Sequence, residues 1–87
     1  MTINYDDFFR ILEEWKRLVD SVHSDIGIRN KVKKLIDNIA EELKKSKNER
    51  DCEYVYDLIS ELSDVKGISQ YVKDSHPIVE EICLNRE

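Results

Sequence analysis

The side chains best suited to chemistry in this 87-residue chain are its carboxylates, two histidines and two cysteines. His23 and His76 each stand alone, with no second histidine or cysteine three or four residues away. Helical di-metal sites draw on a Glu-x-x-His pair, and neither histidine has a glutamate three residues before it. Cys52 and Cys83 do not form the closely spaced pair of a zinc site. Both fall on apolar helical positions, which predicts buried free thiols in preference to a bridge, and poor nucleophiles. A Cys–His pair could meet only through the fold. The acidic doublets at 13–14, 41–42 and 80–81 are helical neighbours that point about 100° apart. No calcium loop or glycine-rich phosphate loop is present. These absences predict a protein that is not an enzyme and needs no metal or cofactor.

One acidic series stands out. In "NERDCEYVYDLISELSD", residues 48 to 64, Glu49, Glu53, Asp57 and Glu61 recur every fourth residue, with Asp64 beyond them. Like charges at that spacing repel across a helix by roughly 0.2–0.5 kcal/mol per pair. With Val55 at the origin of a helical wheel, Leu58, Ile59, Leu62 and Val65 fall within about 80° of it. The five carboxylates occupy about 120° to 240°, with Tyr54 near 260° and Tyr56 near 100°. The pattern predicts an acidic strip bordered by two tyrosines, opposite a complete core stripe. A solvated helix face ordinarily interleaves its charges, and one-sided acidity beside tyrosine suits a docking surface for a basic protein. The plainer reading is a solvated face whose tyrosines tuck over the core edge. Coverage by the basic second helix would also account for it.

Four apolar-periodic segments must position that strip. The first, "NYDDFFRILEEWKRLVDSV", begins at Asn4 as a cap and presents Phe8, Leu12, Trp15, Val19 and Val22, widened by Phe9, Ile11 and Leu18. Asp6/Arg10 and Glu13/Arg17 are spaced to support it. The second starts at Ser24 or Asp25 and carries Ile28, Val32, Leu35, Ile36, Ile39 and Leu43. Its residues 26 to 47 carry a net charge of +4. The third is the acidic helix, with Asn48 as its predicted cap and Gly67 as its closing left-handed residue. Residues 49 to 65 sum to −5. In the last segment, "ISQYVKDSHPIVEEICLNRE", Pro77 interrupts the periodicity. It reads as a kinked helix or as a short helix followed by one capped by Ser75, and the second is favoured because the residue before proline avoids helical geometry. Short connections predict antiparallel neighbours. The expectation is an all-α, compact antiparallel four-helix bundle, its last helix interrupted near Pro77, forming one domain over residues 1–87.

Composition narrows the partners. The chain is 40% hydrophobic and 38% charged, with a net charge of −5, two glycines and one proline. An acidic balance disfavours nucleic acid, whose phosphates want a basic face, and favours a basic protein. The opening "MTINYDDFF" lacks a basic leader and a long apolar run, and no stretch is long enough to span a bilayer. A cytoplasmic location is expected, with no membrane partner.

An acidic, all-helical chain of this size, with Tyr54 and Tyr56 set among Glu53, Asp57 and Glu61, resembles the small bacterial immunity proteins. These are inhibitors paired with bacteriocin or contact-dependent growth inhibition toxins. The nearest likeness is to the colicin-DNase immunity family, whose third helix carries tyrosines and acidic residues that contact a basic toxin. That helix is very short, with adjacent tyrosines followed by proline, whereas Val55 separates the tyrosines here. The resemblance is one of size, charge and architecture, and no residue is carried over from it. It implies a toxin inhibitor acting by occlusion of a nuclease groove. From the residues themselves, the expected partner-binding set is Glu49, Glu53, Tyr54, Tyr56, Asp57, Glu61 and Asp64. Two other functions fit the same features: a phage-encoded nucleic-acid mimic, or a homo-oligomeric adapter using the broad apolar stripe of Phe8, Phe9, Ile11 and Trp15.

Overall fold

The computed structural model describes residues 5–46 and 48–85, and these are helical throughout apart from short connections. The element order is α1 (Tyr5–Val22), α2 (Ile26–Lys44), α3 (Cys52–Leu62), α4 (Ser69–Asp74) and α5 (His76–Asn85). The radius of gyration is 12.6 Å, close to the roughly 12 Å expected of a compact chain this long.

Helix α1 turns Phe8, Leu12, Trp15 and Val19 into the interior, where Phe8 and Trp15 meet edge to face with ring centroids 6.3 Å apart. Val22, placed on this stripe by periodicity, is 47% exposed because the helix ends there. The cap predicted at Asn4 lies outside the described residues. On the outer face Arg10 pairs with Asp7 and Arg17 with Glu14, both at three-residue spacing, while Glu13 pairs with Lys16.

Helix α2 starts at Asp25, whose carboxylate accepts from the Ile28 N–H at 3.1 Å. Val32, Ile36, Ile39 and Leu43 are buried. Ile28, expected in the same stripe, is 45% exposed. It sits in the first turn of α2, at the end of the molecule where α1 has just stopped.

Helix α3 begins later than its sequence suggests. The cap is Asp51, which accepts from the Tyr54 N–H at 3.1 Å, and not Asn48. Helix α3 then buries Val55, Leu58, Ile59 and Leu62 and ends at Leu62. Gly67 lies in the following turn with φ +97°, in the left-handed region. A Cβ there would lie 2.6 Å from Val22 Cγ1, so the turn also packs against the end of α1. At the same end, His23 Nε2 and the Lys66 carbonyl oxygen are 2.7 Å apart, joining the α1–α2 turn to the α3–α4 turn.

The last segment divides into two helices as the favoured reading expects, but His76, the residue before the proline, is itself the first residue of α5, and Ser75 is the C-cap of α4. Ser75 ends α4, and its carbonyl accepts from the N–H groups of Ile78 and Val79, which start α5. Pro77 sits in that first turn, where its missing N–H costs nothing. Ile68, Val72, Val79, Ile82 and Cys83 complete the core. Each helix packs chiefly against its sequence neighbour. No helix among the described residues is long and apolar enough to cross a membrane.

Candidate interaction surface on the third helix

The orientation of α3 is set by buried charge at its start. The Asp51 N–H donates to Oε2 of Glu42 at 2.8 Å, while Lys45 Nζ donates to Oε1 at 3.1 Å. Glu42 is buried at the end of α2. Its carboxyl is held below the usual glutamate value, first by the Asp51 N–H and then, against the opposing effect of burial, by Lys45. Beside it, the buried guanidinium of Arg50 donates to the carbonyl oxygens of Leu43 at 3.1 Å, Lys45 at 2.9 Å and Ile82 at 3.0 Å. One side chain thus satisfies orphan carbonyls at the end of α2 and ties α5 to the start of α3.

On the helix so placed, Glu53, Asp57 and Glu61 are exposed at four-residue spacing, with Val55, Leu58, Ile59 and Leu62 buried behind them. Tyr54 lies beside them, 40% exposed. Glu49 and Asp64 are exposed too, but they stand in the turns before and after the helix instead of on its wheel. The strip on α3 itself is therefore three carboxylates long.

Tyr56 departs from its expected role. It is half-buried against the core, and its ring stacks on His76 with centroids 5.8 Å apart and planes 23° apart. Burial raises its phenol above the ordinary tyrosine value. A ring already packed on the first residue of α5 does not stand free beside the carboxylates.

The basic second helix spends its charge elsewhere. Lys33 pairs with Asp20 at 2.9 Å, and Asp37 of α2 accepts Lys16 at 2.7 Å. Lys44 lies over the Phe9 ring. Among the described residues, no ion pair engages Glu49, Glu53, Asp57, Glu61 or Asp64. The far end of the strip borders α2 at a cleft of about 380 Å³ whose lining includes Glu61, Asp64, Lys31, His23 and Lys66.

A second concavity, about 620 Å³, lies between α1 and α4 and is floored by Ile11, Trp15, Leu18 and the exposed Tyr71. No three His, Cys, Asp or Glu side chains among the described residues converge on a metal position.

Glu42 and Arg50 are the residues that sequence reading passed over. Glu42 had a signal: it falls three residues after Ile39 and beside Leu43, on the apolar stripe of α2. Arg50 had none within its own polar turn. Compared with models of protein families, with curated proteins and with solved structures, the chain matches none of them.

Proposed function

We propose that this chain is an immunity-type inhibitor, a single cytoplasmic domain that binds a basic protein partner through the exposed acidic face of α3. The observation that carries this reading is the run Glu53, Asp57 and Glu61, exposed and without a cationic partner among the described residues, beside the exposed Tyr54. Such a face gains most from a cationic partner, because the like-charge repulsion it tolerates alone turns into attraction on binding. The partner class is the substrate groove of a toxin nuclease, whose cationic residues otherwise hold phosphates. Occlusion follows, and charge steering speeds capture. Glu49 and Asp64 extend the surface from the flanking turns, and Tyr56 supports it from behind. The short connections support an antiparallel arrangement, with α4 and α5 as a divided fourth segment.

The test is a binding assay against the toxin encoded beside this chain's gene, with Asp57→Lys/Glu61→Lys alongside the parent. A large loss of affinity with a melting temperature no lower than the parent's is expected. Equal affinity for parent and double variant removes the α3 face from the interface. A phage operon in place of a toxin gene would favour the nucleic-acid mimic.

The groove between α1 and α4 favours one further reading, a homo-oligomer closed over Ile11, Leu18 and Tyr71. Mass in solution separates the two, since a monomer at all concentrations removes it.

A further inference from the structure

The two cysteines, 31 positions apart in the chain, come together in the fold. Cys52 is the first residue of α3 and Cys83 lies in α5, and both pack in one core cluster. The Cys83 thiol has the Cys52 thiol as an electrostatic neighbour. Their backbones are tethered next to the contact: Arg50, two residues before Cys52, donates to the carbonyl of Ile82, the residue before Cys83, at 3.0 Å. Tyr56, one helical turn after Cys52, packs over the same place and has both sulfurs as neighbours. A disulfide asks for Cα atoms about 4.4–6.8 Å apart, and the hydrogen bond from Arg50 to the Ile82 carbonyl holds the start of α3 against α5 beside Cys83.

We propose that Cys52 and Cys83 are a redox-active dithiol, which low-molecular-weight disulfides such as oxidised glutathione convert to an intramolecular Cys52–Cys83 disulfide that locks α5 onto the start of α3. The inference is independent of what the acidic face binds.

The two thiols have different parts. Cys83 is buried as the sequence predicts, but Cys52, expected to be buried too, is half-buried because it opens α3, and it is the more accessible of the two. Burial, and then the neighbouring Cys52, push the Cys83 thiol up to about 12, and its place beneath the surface keeps it from a soluble disulfide but not from a sulfur at Cys52. Cys52 loses its proton to solvent and its thiolate attacks one sulfur of oxidised glutathione. A mixed disulfide forms and one glutathione thiolate leaves. Cys83 then gives up its proton and attacks the Cys52 sulfur. The bond to the second glutathione breaks, and that glutathione leaves as thiolate. Two protein thiols are oxidised and one soluble disulfide is reduced to two thiols.

The experiment treats the folded chain with excess oxidised glutathione and follows intact mass, alkylable thiols and tryptic peptides. The parent is expected to lose two hydrogens, retain no glutathione and stay a monomer. Cleavage after Arg50, Lys66, Lys73 and Arg86 should leave peptides 51–66 and 74–86 joined until reductant is added. Cys83→Ser should stop at one stable glutathione on Cys52. Cys52→Ser should react at least tenfold more slowly than Cys83→Ser. The oxidised parent should melt higher than the reduced parent, a gain that glutathione on Cys83→Ser does not give. A parent that keeps glutathione, or that cross-links into dimers, overturns the proposal. If either serine variant is unfolded by circular dichroism, the joined or separate parent peptides decide the matter.

Discussion

The backbone N–H of Asp51 donates to Oε2 of the buried Glu42 at 2.8 Å, so the residue that caps α3 is itself held by the last turn of α2. Two helices are joined through one carboxylate that must be ionised to accept from both Asp51 and Lys45. Glu42→Gln keeps the volume and removes the charge. It should cost about 1–3 kcal/mol, the range for a buried hydrogen bond to a charged group, and lower the melting temperature measurably at neutral pH. The carboxyl is held below its ordinary 4.5 in the folded chain. Its contribution is therefore complete above that value and is lost as pH falls through the lower, folded one. Parent and variant should converge in stability as pH is taken below about 4.5, and a gap that stays constant into strong acid would show that charge is not what Glu42 supplies.

The planar fork of Arg50 reaches the carbonyls of Leu43, Lys45 and Ile82 at once, an arrangement that no other cation can copy. Arg50→Lys should cost about 2–4 kcal/mol, as one charged head is left to serve several acceptors. Chemical denaturation gives the number. A loss under about 0.5 kcal/mol, the range of ordinary surface changes, would make the fork dispensable.

Gly67 combines φ +97° with close approach to Val22. Gly67→Ala should destabilise by about 1–3 kcal/mol. Pairing it with Val22→Ala separates the two causes. Removing the two γ-methyls recovers part of the steric cost in the double variant and none of the backbone cost, so strict additivity in the cycle would mean that the approach to Val22 carries no energy.

Asp57 stands between Glu53 and Glu61 at four residues on either side. Asp57→Lys turns two repulsive spacings into attractive ones and should raise stability by about 0.5–1 kcal/mol at low salt. The gain should shrink in high salt, as exposed charges are screened. Destabilisation by this change would mean that Asp57 has a folded-state partner.

Local periodicity made much of this legible. Phe8, Leu12, Trp15 and Val19, or Val55, Leu58, Ile59 and Leu62, are buried because 3.6-residue spacing alone puts them on one face. Periodicity says nothing of where a helix stops facing a neighbour, so it puts Val22 and Ile28 on the buried stripe although both are exposed. The start of α3 was misplaced for a different reason. Asn48 and Asp51 can both cap, and the choice is made by Glu42, nine residues earlier in the chain than Asp51. Tyr56 shares the wheel edge that periodicity assigns it, but its stacking on His76 depends on how α5 returns. The contact between Cys52 and Cys83 depends on the same return. What spacing cannot carry is the meeting of residues from distant turns.

Packing mainly between consecutive helices has a kinetic consequence. Low contact order favours folding in microseconds to milliseconds, since most contacts close over short stretches of chain. The hydrogen bond from Arg50 to Ile82 spans 32 residues and is an exception to that economy. Docking of α5 onto the start of α3 must therefore close a longer loop than the contacts between consecutive helices do, at a larger entropic cost.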